Sequence, residues 1–209
     1  MAEKMDLALK KVVTPEFRVS FPHLDKPQAF RGNNPKYSVS CLFEKKVDLT
    51  KVKKAAYNAV TEVFGSDKSK WPKNLRLPFR DGGEKTYDGY EPGMTWFTAS
   101  KNSDKGAPKV FDRNRDEIVD VKNEVYAGCW ARATLIAYCY DKRKEFGTCG
   151  VGFSLLAIQK TKDGEEFGNN KNAAADFDDG YVIEEDGSED PTNYSSDNSD
   201  DEFADLAGL

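Results

Sequence analysis

The sequence predicts an all-β barrel that carries a single helix, and three observations predict it. Runs of period-two alternation recur along most of the chain, only one stretch repeats apolar residues at helical spacing, and turn residues interrupt at short intervals. A doubly wound α/β sheet would need a helix between successive strands, so that class is excluded.

The elements follow in order. Phe17-Arg18-Val19-Ser20-Phe21 alternates apolar and polar, as a half-buried strand does, and Tyr37, Val39, Cys41 and Phe43 repeat that period after Asn34-Pro35. The helix is expected over about 49–64. Leu49, Val52, Ala56, Ala59, Val60 and Val63 fall near one face, Asp48 can cap its start and Gly65 can end it. Lys51, Lys53 and Lys54 sit mostly on the other face and read as a solvated surface. Residues 66–93 form a long irregular connection, but Trp71, Phe79, Tyr87 and Tyr90 punctuate it, together with Lys70, Lys73, Arg76 and Arg80. A loop that long and that aromatic reads as functional rather than as a linker. Strands are then expected at about 94–101 and 107–111, a short piece near 118–121, and long runs at about 125–140 and 149–160. The basic loop from Asp141 to Gly147 joins the last two.

Charge divides the chain in two. Lys and Arg total 31 and Asp and Glu 36; none of the basic residues follows Lys171, while 13 of the acids lie between Asp176 and Asp205. Residues 1–175 therefore carry +8 (31 basic against 23 acidic) and residues 176–209 carry −13. Such asymmetry suggests a polyanion-binding body, 1–172, followed by a disordered acidic interaction tail, 173–209. No apolar run approaches the ~18 residues of a membrane span. The only apolar run of the first 13 residues, Leu7-Ala8-Leu9, is too short for a secretory signal, so an intracellular, soluble protein is expected.

Catalysis finds little support. Cys41, Cys129, Cys139 and Cys149 lack zinc-ribbon spacing and read as buried free thiols, and one histidine, His23 in a turn-like stretch, is poor material for a catalytic triad. Asp112, Asp116, Glu117 and Asp120 could hold Mg²⁺ in a nuclease, and Asp112-x-Asn114-x-Asp116 begins like a calcium loop. However, Glu117 stands where that loop needs glycine, and Arg113 and Arg115 interleave with the acids. No phosphate-binding glycine loop occurs. No cofactor, metal or catalytic residue is assigned.

Single-strand binding draws on features that are present. Cations follow phosphates and release counterions, while flat rings stack on any base at ~1–3 kcal/mol each. The body holds 21 of the 25 aromatic residues. Over 128–140, one strand face carries Trp130, Arg132, Thr134, Ile136, Tyr138 and Tyr140, and the other carries Cys129, Ala131, Ala133, Leu135, Ala137 and Cys139. The second suits a core. The first suits a ligand, but equally a packed layer or a homodimer interface. The expected stacking residues are Trp96, Trp130 and Tyr138, with Phe79, Tyr87 or Tyr90. The expected phosphate contacts are Arg80, Lys101, Lys105, Lys109, Arg132 and the Lys142-Arg143-Lys144 loop. In the tail, Asp200, Asp201, Glu202, Phe203, Asp205 and Leu206 suit a basic, partly apolar partner pocket. The rival reading is a non-catalytic adaptor whose basic surface meets an acidic protein and whose rings are core.

The series Leu77-Pro78-Phe79-Arg80-Asp81-Gly82, Trp96-Phe97-Thr98-Ala99-Ser100-Lys101 and Pro108-Lys109-Val110 resembles the single-stranded DNA-binding proteins of tailed bacteriophages. Tyr126-Ala127-Gly128-Cys129-Trp130-Ala131-Arg132-Ala133, Gly150-Val151-Gly152-Phe153-Ser154-Leu155, Ala157-Ile158-Gln159, Asp163-Gly164-Glu165, Phe167-Gly168 and Asp176-Phe177-Asp178 extend it over about 15–180. The resemblance implies an OB-type five-stranded barrel that binds single strands without sequence preference. It also implies service in phage replication, recombination and repair in the cytoplasm of the infected host. The acidic tail would contact DNA polymerase, helicase or primase.

Overall fold

The computed structural model describes residues 6–29 and 34–168. The strands are β1 (Lys11–Val13), β2 (Phe17–Gln28), β3 (Lys36–Phe43), β4 (Leu75–Arg76), β5 (Arg80–Asp81), β6 (Thr95–Asn102), β7 (Lys109–Phe111), β8 (Trp130–Lys142) and β9 (Thr148–Lys162). Five of them pair in a closed ring. β2 pairs antiparallel with β3, β3 with β6, β6 runs parallel to β9, β9 is antiparallel to β8, and β8 returns to β2. The short strands attach outside it: β1 on β8, β4 and β7 on β9, and β5 on β6.

Alternation along the ring sends one side chain of each pair inward. Val39, Cys41, Phe43, Phe97, Ala99, Ala131, Ala133, Leu135, Ala137, Phe153 and Leu155 are buried there. Phe43 and Phe97 lie 5.3 Å apart between centroids and Phe97 and Phe153 4.6 Å, so offset rings form the centre of the core. Each fully buried large side chain stabilises the fold by about 1.5–3 kcal/mol.

The long helix, Thr50–Phe64, closes one side of the ring with Val52, Ala55, Ala56, Ala59 and Val60. Its small residues let it approach closely. The Asp48 carboxylate accepts from the Thr50 amide at 2.8 Å, and Gly65 ends the helix with its amide on Thr61. Val63, expected on the apolar face, is exposed.

Among the described residues, the mostly-β class, the single long helix and the strand order along the chain are as the sequence predicts. His23, expected in a turn, lies within β2, and other details differ. Lys11–Val13 is a strand that its three residues were too few to signal. Near 118–121 there is no strand, only a Phe111–Glu117 bridge and then a helical turn, Val121–Glu124, capped by Asp120. The 66–93 connection contains β4, β5 and two 3₁₀ turns. The cysteines are free, and burial pushes the Cys129 and Cys139 thiols up to about 11. Among the described residues no helix is long and apolar enough to cross a membrane. The expected disordered tail, 173–209, lies outside the described residues.

Candidate nucleic-acid interface

Opposite the core, the outward positions of β3, β6 and β9 are small and polar: Ser38, Ser40, Thr98, Ser100, Asn102 and Ser154. Period two produces this floor, because each hydroxyl alternates with a buried apolar side chain. Two grooves run over it, of about 920 and 560 Å³. They share Lys36, Ser100, Asn102 and Lys142, so they form one trough with lysines at its waist. His23 and Phe21 line the first, while Lys105, Ile136, Tyr138 and Tyr140 line the second.

Aromatic rings stand in line at the Phe21 end. Phe21 and Tyr87 lie 5.1 Å apart, Tyr87 and Tyr90 5.9 Å, and Tyr90 and Trp96 5.8 Å, all near edge-to-face. The Lys85 ammonium sits 5.4 Å from the Tyr87 ring and 5.6 Å from Trp96. The local sequence explains the placement. Between Ser20 and His23 the β2–β3 register slips, and Phe21 takes φ +45°, so a bulge turns its ring outward. The loop bearing Tyr87 and Tyr90 is drawn in by Asp81, whose carboxylate accepts from the amides of Gly83 (2.8 Å) and Gly93 (3.1 Å). Gly82 is required there, since a Cβ would strike the Glu91 carbonyl oxygen.

The polar ends of these rings are satisfied: Trp96 Nε1 donates to the Asp81 carbonyl at 3.1 Å, and the Tyr90 hydroxyl bonds Ser20 at 3.1 Å. Burial raises the Tyr90 and Tyr138 phenols above the ordinary tyrosine range, so both stay neutral donors. Phe21 (46% exposed), Tyr87 (49%) and Tyr138 (41%) keep enough ring free to stack.

The structure thus places Tyr138, Lys105 and Lys142 on the lining of the trough, and Tyr87, Tyr90 and Trp96 in the row of rings that starts at Phe21. It places the other expected residues elsewhere. Phe79 turns onto the core, 5.8 Å from Phe97 and 6.0 Å from Phe153. Trp130 lies under Arg18 (5.3 Å) and Lys162 (4.5 Å), and Arg18 also covers Phe167 at 4.5 Å. Arg18 donates to the carbonyls of Gly128 (2.6 Å) and Glu165 (2.5 Å), so that stack fastens residues 163–168 to the ring.

Several cations are already engaged. Arg143 is forked onto Asp141, which it holds at about 2; Lys109 contacts both oxygens of Glu117; Arg80 faces Glu84 at 3.6 Å; and Lys101 donates to the Ala107 carbonyl. Arg132 donates to Gln159 beside a separate hollow, and Lys144 is exposed on the 143–146 turn. The six tail residues from Asp200 to Leu206 lie outside the described residues.

Sequence reasoning passed over Phe21, Lys36, Lys85 and the hydroxyl floor. The floor had a signal, small polar residues at every second position of adjoining strands, whereas the turning of Phe21 depends on a bulge. The Asp112 carboxylate, considered for a metal, accepts the amides of Asn114 (2.8 Å) and Asp116 (2.9 Å) and so holds a turn together.

A closed β ring with a polar trough, ringed by aromatics and edged by lysines, defines a module built to hold an extended chain. The chain belongs to the family described as Enterobacter phage Enc34, ssDNA-binding protein, whose model matches residues 10–190. It is 31% identical over 185 residues to protein p50 of Acyrthosiphon pisum secondary endosymbiont phage 1, covering 84% of this chain and 96% of that one. The fold is similar to that of the single-stranded DNA-binding protein from bacteriophage Enc34 solved in complex with ssDNA. That match has 25% identity and a TM-score of 0.59, and covers 76% of this chain and 90% of that one. A more distant likeness is the single-stranded DNA-binding protein encoded by bacteriophage T7, with 18% identity and a TM-score of 0.53, over 84% of this chain and 99% of that one. The resemblance seen in the sequence to phage single-stranded DNA-binding proteins is borne out.

Proposed function

We propose that this protein binds single-stranded DNA without sequence preference in the trough across β2, β3, β6, β9 and β8. The observation that carries the reading is the continuity of one lysine-waisted trough between two sets of partly exposed rings. Bases stack on Phe21, Tyr87, Trp96 and Tyr138, while phosphates meet Lys36, Lys85, Lys105 and Lys142. The floor hydroxyls offer hydrogen bonds to any base edge, and none has the fixed two-point geometry that selects one base. In this reading the protein coats and protects single strands during phage replication, recombination and repair inside the infected host. The −13 segment after residue 175 regulates DNA binding and recruits replication partners, a role supported by its charge opposite to the body's.

The test is a tryptophan-fluorescence titration of the full chain with oligo-dT at two salt concentrations, with matched duplex as the control. Salt-sensitive quenching by the single strand that disappears in Trp96→Phe and persists in Trp130→Phe supports the trough. Quenching that follows Trp130 instead, or none at all, sinks it.

A further inference from the structure

Outside the trough, the lower parts of β8 and β9 carry a hollow of about 490 Å³ flanked by β1 and β7. Val13, Phe111 and Ala157 line it with Thr134, and the cations on its lining are Arg115 and Arg132. Val13 is 53% exposed, so this is an apolar surface open to solvent. Among the described residues neither arginine is in an ion pair. Of the acids nearby, Asp112 accepts backbone amides, Glu117 is held by Lys109, and Glu16, which feels the charge of Arg132, is held by Lys162, while the Asp116 carboxylate stands beside Arg115 in sequence.

Arg132 is held through its side chain and Arg115 through its backbone. Arg132 Nε donates to Gln159 Oε1 at 2.9 Å, and Gln159 Nε2 donates in turn to the carbonyls of Asp112 (2.9 Å) and Arg113 (3.2 Å). One glutamine therefore ties the strand bearing Arg132 to the turn bearing Arg115. Arg115 itself has φ +76°, a left-handed conformation that arginine rarely adopts and that the 112–116 turn enforces. Strain of this kind tends to gather where a side chain must be aimed at a ligand.

We infer that this hollow docks an acidic peptide with an aromatic or leucine anchor, supplied by another polypeptide. The anchor fills the Val13–Phe111–Ala157 floor, and flanking carboxylates meet the two guanidinium forks, whose planar donors match a carboxylate bidentately. The charge of the site and of its occupant are complementary, as the body's net +8 already favours anionic partners. A nucleic-acid strand fits less well, because Phe111 is the only ring on the lining.

The proposal does not depend on DNA binding. Anisotropy of a dye-labelled Glu-Asp-Phe-Asp-Glu-Leu peptide is titrated with the full chain, with oligo-dT binding measured in parallel. Saturable binding should weaken at least tenfold in Arg115→Gln/Arg132→Gln, in Val13→Asp, and when the peptide's Phe becomes Ala. Oligo-dT should not displace the peptide, and Arg115→Gln should bind oligo-dT as before. Absence of peptide binding, insensitivity to these changes, displacement by oligo-dT, or loss of oligo-dT affinity in Arg115→Gln would each overturn the inference.

Discussion

Trp96 and Trp130 both sit at outward positions of ring strands beside cations, and the two sites use the same chemistry in opposite ways. At Trp130 the cation–π contacts are internal: Arg18 and Lys162 cover the ring, and Arg18 ties down the backbone at Gly128 and Glu165. At Trp96 the neighbours are Tyr90, Lys85 and a loop that opens onto the trough. A ring with a cation beside it is therefore not yet a binding site. What decides is whether the cation's remaining donors are spent on the protein's own carbonyls.

The largest expected effect is at the fastened site. Gly128 has φ +105°, and a Cβ there would strike the Glu165 carbonyl. Gly128→Ala should cost about 3 kcal/mol or more in a denaturant melt, through overpacking onto backbone together with left-handed strain. Oligo-dT affinity of the folded fraction should be unchanged.

Next comes the exchange of tryptophans. Trp96→Ala should weaken oligo-dT binding by about 1–3 kcal/mol with little change in Tm. Trp130→Ala should do the reverse, lowering stability by about 1–2 kcal/mol through its two cation–π contacts while leaving affinity alone. If both variants lose affinity equally, the contrast between the two sites fails.

A smaller effect sharpens the charge side. Replacing Lys36 and Lys142 by Gln should flatten the plot of log affinity against log salt by about 0.7 for each lost phosphate contact. The same change at Lys109, held by Glu117, should leave the slope as it was. An equal change at all three would mean that the waist of the trough has no special role.

The smallest effect is acid sensitivity of the fastened site. Hydrogen bonds from Lys160 and then Tyr126 hold the Asp163 carboxyl below the usual aspartate range. A depressed carboxyl contributes stability that is present above the ordinary aspartate range and lost as pH falls through the lowered value. Near-UV circular dichroism of Trp130 in a Trp71→Phe/Trp96→Phe background should change in that acid window, and Asp163→Asn should remove the change. A transition that survives Asp163→Asn would place its cause elsewhere.

The contrast also shows how much was legible. The β alternation at 128–140, the Asp48 carboxylate that takes the Thr50 amide one residue ahead of the N-cap Leu49, and the helix end at Gly65 could be read because they are local: each depends on residues within one turn or one strand. Trp96 and Trp130 looked alike because their difference is made by Arg18, more than a hundred residues from Trp130 in sequence, and by the Asp81-held loop. Phe79 looked like its neighbour Tyr87 for the same reason; only the closed ring turns it toward Phe97. Lysines and arginines are hardest of all to read. Whether Lys109 or Arg143 is free depends on a single carboxylate, Glu117 or Asp141, and spacing alone does not show which pairs will close.

Closure of the ring has a consequence for self-association. A sheet edge is a row of unpaired amides and carbonyls on which another chain can template itself. Here the five long strands close on one another, with β2 meeting β8 through Phe17 and Arg18 and β6 meeting β9 through Ala99 and Ser100, and among the described residues the strands left outside the ring, β1, β4, β5 and β7, are two or three residues each. Copies crowded side by side along a polymer meet at a local concentration that would make a long open edge hazardous. The outer strands are too short to serve as such templates, and the long edge left for a neighbouring copy is that of β2 beyond Arg18, whose register against β3 is broken twice and so makes a poor template.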